Sequence, residues 1–226
     1  MQKHNDFWLG VLHIIPLCLA VLPWGLLAGS MAVSTGLTPA QGVAMSAFIF
    51  AGAAQLVTIS MLAAGSGLLA ITVTIFIITA QHFLYALVLR ERVSHLPFKQ
   101  RLPIGFLLTD ELFALAVGKN KYSFAYLMGA GLIFYLSWLL FTLAGVVLAA
   151  NIPNLESYHL DFSIIATFVA IVVPMIKKLS TLVGVLLSLL LSLGFTLLQL
   201  EGAVVLAGLL GMAGALATAK ACKEPH

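Results

Sequence analysis

Two adjacent carboxylates, Asp110 and Glu111, interrupt an otherwise apolar stretch that reads LLTDELFALAVGK over residues 107–119. One interpretation is a helix start, with Thr109 as the N-cap and both acids in the first turn, where the helix dipole favours negative charge. The preceding residues LPIGFLL are apolar enough to lie in or on a membrane. In that setting the acids lie at the end of a half-helix facing a cavity and are candidates for carrying protons or binding an ammonium group. The two interpretations are compatible, because capping fixes the position from which a carboxylate acts.

A second polar group lies in ITAQHFLYALVLRER, residues 78–92. Helical spacing places Gln81, His82 and Tyr85 on one side of a helix, three and four residues apart. His82 precedes Arg90 by eight residues, which corresponds to a depth of roughly 12 Å from the membrane edge. One interpretation is a structural imidazole that hydrogen-bonds between helices. The other is a proton or substrate contact, because histidine titrates near neutral pH.

Small residues dominate FAGAAQ, residues 50–55. They allow another backbone to approach closely, and Gln55 can then hydrogen-bond to that neighbour or to a ligand. Tight packing alone explains the pattern. The functional alternative is that the helix unwinds near Gly52 and brings backbone groups to a site at the membrane midplane, as in transporters. Pro23 in VLPWG predicts another helix break, since proline removes a backbone hydrogen bond.

The elements that must position these residues are membrane helices. The chain of 226 residues is 62% hydrophobic and 8% charged, and it has no Asp, Glu, Lys or Arg between Asp6 and Arg90. Continuous apolar runs favour helices over a barrel with alternating polarity. We therefore predict an all-α polytopic membrane protein that forms a single transporter domain over residues 1–226. Its seven hydrophobic helical segments, some of them discontinuous, are 7–28, 41–63, 68–89, 124–150, 161–176, 180–198 and 202–219.

The basic residues predict the orientation, because lysine and arginine stay on the cytoplasmic side. Lys177 and Lys178 follow the basic loop 90–121 by two spans, and Lys220 and Lys223 follow by two more. Loop 90–121 and the C-terminus are therefore expected in the cytoplasm of a bacterial plasma membrane, with the N-terminus outside if segment 41–63 crosses and inside if it re-enters. The six basic residues of that loop are Arg90, Arg92, Lys99, Arg101, Lys119 and Lys121.

Other classes of function lack a supporting motif in the sequence. Cys18 and Cys222 have no metal-ligand spacing around them, and we expect neither a disulfide nor a metal site. The chain shows no phosphate loop or other nucleotide motif. The first segment is long and carries Pro16 and Pro23, which favours a span over a cleaved signal peptide. We expect no cofactor and no enzymatic activity.

Four motifs occur in an order that resembles one known family. FAGAAQ, HFLY at 82–85, TDELFAL at 109–115 and LDFSIIATFVAIVVP at 160–174 resemble the AzlC family of branched-chain amino acid exporters. The resemblance covers roughly residues 10 to 220. It implies the large subunit of a two-component exporter that works with a small AzlD-type membrane protein. It also implies outward transport of valine, leucine, isoleucine or methionine, driven by an ion gradient.

One position departs from the pattern that this resemblance implies. An arginine is expected immediately before the histidine of the HFLY motif, and this chain has Gln81 there. A guanidinium can bind a carboxylate with two hydrogen bonds, which an amide does not reproduce. The identity of the substrate is therefore left open.

Two function classes remain. In secondary export, an apolar pocket holds the side chain of the amino acid while polar groups hold its charges. The predicted ion-coupling residues are His82, Asp110 and Glu111, and the predicted substrate-binding residues are Gly52, Gln55, Gln81, His82 and Tyr85. The alternative is an intramembrane enzyme or assembly factor that uses His82 with Asp110 or Glu111, although no nucleophile motif accompanies them.

The last segment carries a small residue at every fourth position. These residues form a shallow groove that drifts around the helix, because four residues turn it by about 400°. A neighbour that follows the groove must cross obliquely. Either another helix of the same chain fills it, or it receives the small partner subunit through Ala207, Gly211 and Ala215. The full set is Ala203, Ala207, Gly211, Ala215 and Ala219.

Overall fold

The computed structural model describes residues 2–117, 123–151, 169, 172–173, 176–200 and 203–222. Within these ranges the regular structure is helical, without any strand, which confirms the predicted fold class. The predicted segment 161–176 lies almost entirely outside the described residues. The contacts divide the chain into two compact units, Met1–Ile171 and Val172–His226, which are described separately.

The first unit contains nine described helices. Most of them are short, and pairs of short helices take the place of the continuous segments expected from hydropathy. They are α1 Gln2–Ala20, α2 Leu22–Ser34, α3 Pro39–Phe48, α4 Gly52–Ala63, α5 Leu68–Thr79, α6 Gln81–Val93, α7 Phe98–Phe106, α8 Asp110–Val117 and α9 Phe124–Asn151.

Three described helices are long and apolar enough to cross a membrane: Leu68–Val93, which joins α5 and α6, Phe124–Ala149 and Leu179–Leu197. A fourth span results if Asp6–Ala20 and Leu22–Ser34, bent by 56°, are taken as one. This is fewer than the seven predicted segments, partly because 41–63 is divided between two helices of 10 and 12 residues. The expectation that some segments are discontinuous is confirmed.

The helix breaks have local causes. Pro23 lies in the first turn of α2, where its missing amide costs nothing, so the break between α1 and α2 falls just before it. Between α3 and α4, Phe50 has a φ of 41°, a left-handed conformation that is uncommon for a bulky residue, and Ala51 is extended. Helix α3 starts with a capping box in which Thr38 and Gln41 bond to each other's backbone amides.

Helix α9 is the central element of this unit and packs against both α1 and α2. A Cβ added at Gly10 of α1 would collide with the carbonyl of Tyr126, and one added at Gly129 would collide with the carbonyl of Phe7. Such reciprocal collisions mean that the two backbones are in direct contact. Tyr126 also bonds to α1, where its hydroxyl lies 2.8 Å from Nδ1 of His13.

The same arrangement recurs between α9 and α2. A Cβ at Gly29 would collide with the carbonyl of Thr142, and a Cβ at Gly145 would collide with the carbonyl of Leu26. Glycines on both helices therefore allow α9 to touch the two halves of the bent pair, and this contact holds α1 and α2 in place.

The second unit is a helical hairpin of α10, Leu179–Leu197, and α11, Ala203–Ala221. A Cβ at Gly211 would collide with Oγ of Ser188 and would lie 2.8 Å from the carbonyl of Gly184. A Cβ at Gly184 would lie 2.8 Å from the Cβ of Ala215. Helix α10 therefore fills the groove of small residues on α11, and the prediction of a partner interface at Ala207, Gly211 and Ala215 gives way to packing within the chain.

We expect Gly29→Ala to lower the free energy of unfolding by about 1–3 kcal/mol, because its methyl group has no room against the carbonyl of Thr142. Gly105→Ala in α7 is the matched control, since a Cβ there meets nothing within 4 Å. Thermal or SDS-induced unfolding of both variants in detergent measures the difference. Equal stability of the two variants would contradict the close contact between α2 and α9.

Candidate functional site

A cavity lies in the first unit where several helix breaks meet. The space between its wall atoms amounts to about 460 Å³, a volume that includes open solvent at its mouth. The breaks between α3 and α4, between α5 and α6, and before α8 all contribute to its lining, together with aromatic residues of α2 and α9. The lining residues are Trp24, Phe50, Ala51, Gly52, Ala53, Ala54, Ile78, Thr79, Gln81, His82, Thr109, Asp110, Glu111, Phe134 and Trp138.

Asp110 is held in the cavity wall by two donors from α6. Nε2 of Gln81 lies 3.2 Å from Oδ1 and 3.5 Å from Oδ2 of the carboxylate. The hydroxyl of Tyr85 donates to Oδ1, and its ring stacks on Phe113 with a centroid distance of 4.2 Å. Both groups donate and Asp110 accepts, which is the arrangement that suits an ionised carboxylate. The predicted alignment of Gln81 and Tyr85 on one side of a helix is thus the geometry that positions Asp110.

Glu111 is the more buried of the two acids, with 5% of its surface exposed. It follows Asp110 directly in the first turn of α8. Oγ1 of Thr109 accepts a hydrogen bond of 3.4 Å from the amide of Leu112, which confirms Thr109 as the N-cap. Among the described residues that line the cavity, none is a lysine or an arginine. Two adjacent carboxylates therefore face a cavity without a basic side chain in its described wall.

His82 has a defined hydrogen-bonding role at the break between α5 and α6. Its Nδ1 lies 3.0 Å from the carbonyl oxygen of Thr79. Because a carbonyl only accepts, Nδ1 carries the proton, and in the neutral ring Nε2 is an acceptor. The amide of Phe83 donates to the carbonyl of Ala80, three residues back, so the helix tightens at this point.

The N-terminus of α4 also lines the cavity. Ala51 precedes it in an extended conformation and provides no side-chain cap. The amide of Gln55 makes the bond back to Ala51, so the amides of Gly52, Ala53 and Ala54 come before it in the first turn. A Cβ at Gly52 would lie 3.0 Å from the rings of Trp24 and Trp138. The absence of a side chain therefore lets the positive end of α4 approach the cavity between two indoles.

Gln55 lies behind the cavity wall and not in it. Its side chain is fully buried, and Nε2 donates to Oγ of Ser46 over 2.8 Å. Ser46 in turn lies 2.7 Å from Oγ1 of Thr142, and Nε1 of Trp138 donates to Oε1 of Gln55 at 3.4 Å. These bonds join α3, α4 and α9 next to the break. Gln55 therefore bonds to side chains of neighbouring helices, which agrees with the interpretation of FAGAAQ as a packing motif.

Most of the other predicted site residues come together. Gly52, Gln81, His82, Asp110 and Glu111 line the cavity, and Tyr85 reaches it through Asp110. Sequence reasoning missed the aromatic wall, which consists of Trp24, Phe50, Phe134 and Trp138. Trp24 follows the predicted break at Pro23, a signal that could have indicated it, but nothing in the apolar run of α9 distinguishes Phe134 or Trp138 from residues that face lipid.

The described residues contain no group of three or more His, Cys, Asp or Glu side chains arranged to hold a metal ion. The polar groups of the cavity include the side chains of Asp110, Glu111 and His82 and the first-turn amides of α4. They provide carboxylate oxygens, one imidazole acceptor and the positive end of a helix, in contact with large aromatic surfaces. Such a set can bind a small amphipathic molecule. Its titratable groups can also exchange protons with that molecule or with water.

Comparison with known proteins finds one matching family model and several similar membrane proteins. A family model described as AzlC protein matches residues 16–152, which is more than half of the chain. The inner membrane protein YgaZ of Escherichia coli is 28% identical over 186 residues, covering 78% of this chain and 76% of that protein. An uncharacterized membrane protein of Archaeoglobus fulgidus is 30% identical over 78% of this chain and 79% of its own. One from Helicobacter pylori is 27% identical over 74% of each chain. No solved structure shows a significant match.

We expect a double-mutant cycle to detect the bond between Tyr85 and Asp110. Tyr85→Phe and Asp110→Asn should show a coupling of about 1–3 kcal/mol in unfolding free energy, because the bond involves a charged acceptor. Tyr135→Phe is the matched control, since its hydroxyl donates to the carbonyl of Ala47 over 3.0 Å and does not involve Asp110. Its coupling to Asp110→Asn should stay within about 0.5 kcal/mol. Equal couplings for the two tyrosines would rule out a specific bond.

Proposed function

The chain belongs to the AzlC family, a membership that implies membrane transport, and we propose that it exports branched-chain or similar hydrophobic amino acids in exchange for protons. The proposal includes valine, leucine, isoleucine and methionine as substrates and the plasma membrane as the location. One observation supports it most: a single cavity contains a carboxylate held by neutral donors, a buried second carboxylate and an aromatic wall. These are the groups that suit the ammonium group and the apolar side chain of such an amino acid, together with a proton.

Each part of the amino acid has a counterpart in the cavity. The ammonium group binds Asp110, whose carboxylate is already oriented by Gln81 and Tyr85. The carboxylate of the substrate faces the amides at the start of α4, where the helix dipole favours negative charge. The apolar side chain packs against Trp24, Phe134 and Trp138.

Glu111 is the proposed proton carrier. An ionised carboxylate that is buried beside another carboxylate is costly, and protonation removes that cost. Asp110 differs because it accepts hydrogen bonds from Gln81 and Tyr85. Titratable groups near Glu111 include Asp110 on its own helix, Tyr85 on α6 and Cys18 on α1, and His82 lines the same cavity. In this proposal Asp110 keeps its charge to bind substrate while Glu111 alternates between protonated and ionised forms.

Gln81 affects the charge of the cavity and therefore which amino acid it binds. Its amide bonds to Asp110 without neutralising it, whereas an arginine at this position would form an ion pair with that carboxylate. The cavity is consequently more negative than it would be with arginine.

We also propose that the protein works with a small AzlD-type membrane subunit, and that the loop 90–121 and the C-terminus face the cytoplasm. The family resemblance supports the first part and the distribution of lysine and arginine supports the second. The small-residue groove of α11 is filled by α10, so the subunit would dock on another surface.

We expect cells that lack the protein to accumulate free leucine or methionine when they are fed dipeptides containing those residues. Cells that express it should keep the internal concentration lower, because export removes the amino acid released by peptidases. Intracellular amino acids are measured by mass spectrometry over time, with and without expression of the gene. Equal levels in both strains would contradict the proposed export.

We expect Glu111→Gln to abolish leucine accumulation driven by a pH gradient in proteoliposomes while leaving exchange of leucine for leucine intact. Exchange needs the binding site and not a change in protonation, so only the coupling is lost. Asp110→Asn should impair both activities, because it removes the partner of the ammonium group. Glu91→Gln, an exposed acid in α6 away from the cavity, is the control and should behave as wild type. Gradient-driven accumulation by Glu111→Gln at the wild-type rate would exclude Glu111 as the proton carrier.

A further inference from the structure

Four side-chain hydrogen-bond donors of the cavity wall are committed to other protein groups. Nε2 of Gln81 donates to Asp110, and Oγ1 of Thr79 donates to the carbonyl of Ile75 over 2.7 Å. Nε1 of Trp138 donates to Gln55, and Nδ1 of His82 donates to the carbonyl of Thr79. These four donors are therefore not available to a ligand anion.

The acceptors, in contrast, are concentrated in the cavity. Asp110 and Glu111 both line it, and Nε2 of His82 is an acceptor whenever the ring is neutral, because Nδ1 bonds to a carbonyl. The described lining contains no lysine or arginine that would offset the carboxylates. The charge and the hydrogen-bonding capacity of the wall thus both favour a ligand that carries donors and a positive charge.

The aromatic residues strengthen the same preference. The rings of Trp24 and Trp138 meet edge to face at a centroid distance of 5.9 Å beside the start of α4. Indole is the strongest aromatic partner for a cation, and a cation near a ring face gains most when it is removed from water. An ammonium group on a branched apolar body can use the carboxylates and the rings together.

We propose that the ammonium group is the element that this site requires and that the substrate carboxylate is dispensable. The ligands of the cavity are then primary amines on branched apolar bodies, including the amidated and decarboxylated forms of the amino acids. This inference rests on the proposed function, because it concerns the same cavity, and it names the part of the substrate that is recognised. The amides of α4 assist a carboxylate where one is present, but binding does not depend on them.

Four ligands with matched branched bodies test the inference by binding to the purified full chain in detergent. They are L-leucine, L-leucinamide, 3-methylbutylamine, which lacks the carboxylate, and 4-methylpentanoate, which lacks the amine. Tryptophan fluorescence reports binding, since two of the three tryptophans line the cavity, and Trp8→Phe removes the exposed third one. Isothermal titration calorimetry on the unmodified chain repeats the comparison without any substitution.

We expect leucinamide and 3-methylbutylamine to bind with dissociation constants within about tenfold of that for leucine, and 4-methylpentanoate to give no saturable signal. Asp110→Asn should weaken the three amine-bearing ligands by roughly tenfold or more, as the loss of a charged hydrogen-bond partner predicts. Glu91→Gln should leave all dissociation constants unchanged.

Binding of leucine without binding of either amine would overturn the inference, while leaving amino acid export intact as a function. Binding of 4-methylpentanoate in preference to 3-methylbutylamine would overturn it as well. Binding of the amines by a protein that fails to export leucine or methionine from cells would instead refute the proposed function. The ligand comparison on the unmodified chain decides the inference even if the Asp110 variant does not fold.

Discussion

The direct backbone contact of α9 with α1 and α2 is the constraint on which the first unit depends. In lipid, apolar surfaces gain little from meeting each other, so helices associate through close packing and hydrogen bonds. Gly10, Gly29, Gly129 and Gly145 supply the close packing, and each would collide with a partner backbone if it carried a Cβ. A helix pair bent by 56° is thereby held against one continuous helix of 28 residues. The cavity forms beside this contact, with Trp24 from α2 and Trp138 from α9 in its wall.

Helix breaks at membrane depth leave backbone groups that need partners, and they are tolerated where protein covers them or where they line a cavity. Both solutions occur here. The hydrogen bonds among Ser46, Gln55 and Thr142 cover the region behind the break between α3 and α4. The other side of the same break, at Phe50 and Ala51, lines the cavity. The strained φ of Phe50 lies in this segment, and strained residues of this kind persist where the surrounding structure determines them.

Sequence patterns predicted the features that depend on local chemistry. Proline and glycine positions indicated the breaks near Pro23 and Gly52, and the helical period placed Gln81 and Tyr85 on one side, where both contact Asp110. The period of a helix does not say which neighbour each face meets. For that reason the sequence predicts a ligand contact for Gln55, which bonds to Ser46 instead, and allows a partner subunit at the α11 groove, against which α10 packs. The aromatic wall was missed because, in an apolar helix, residues that face a cavity and residues that face lipid look alike.

Substrate protection of a cavity cysteine tests most directly whether this cavity is the transport site. Thr79→Cys, at the end of α5, would place a thiol in the cavity wall. Thr58→Cys, in α4, would place one outside the lining residues. Cys222 is exposed and is replaced by serine, whereas Cys18 is buried. The rate of reaction with a small thiol reagent is then measured with and without leucine. We predict that leucine slows the reaction at position 79 and leaves that at position 58 unchanged. Equal rates at position 79 with and without a transported amino acid would contradict a substrate site in this cavity.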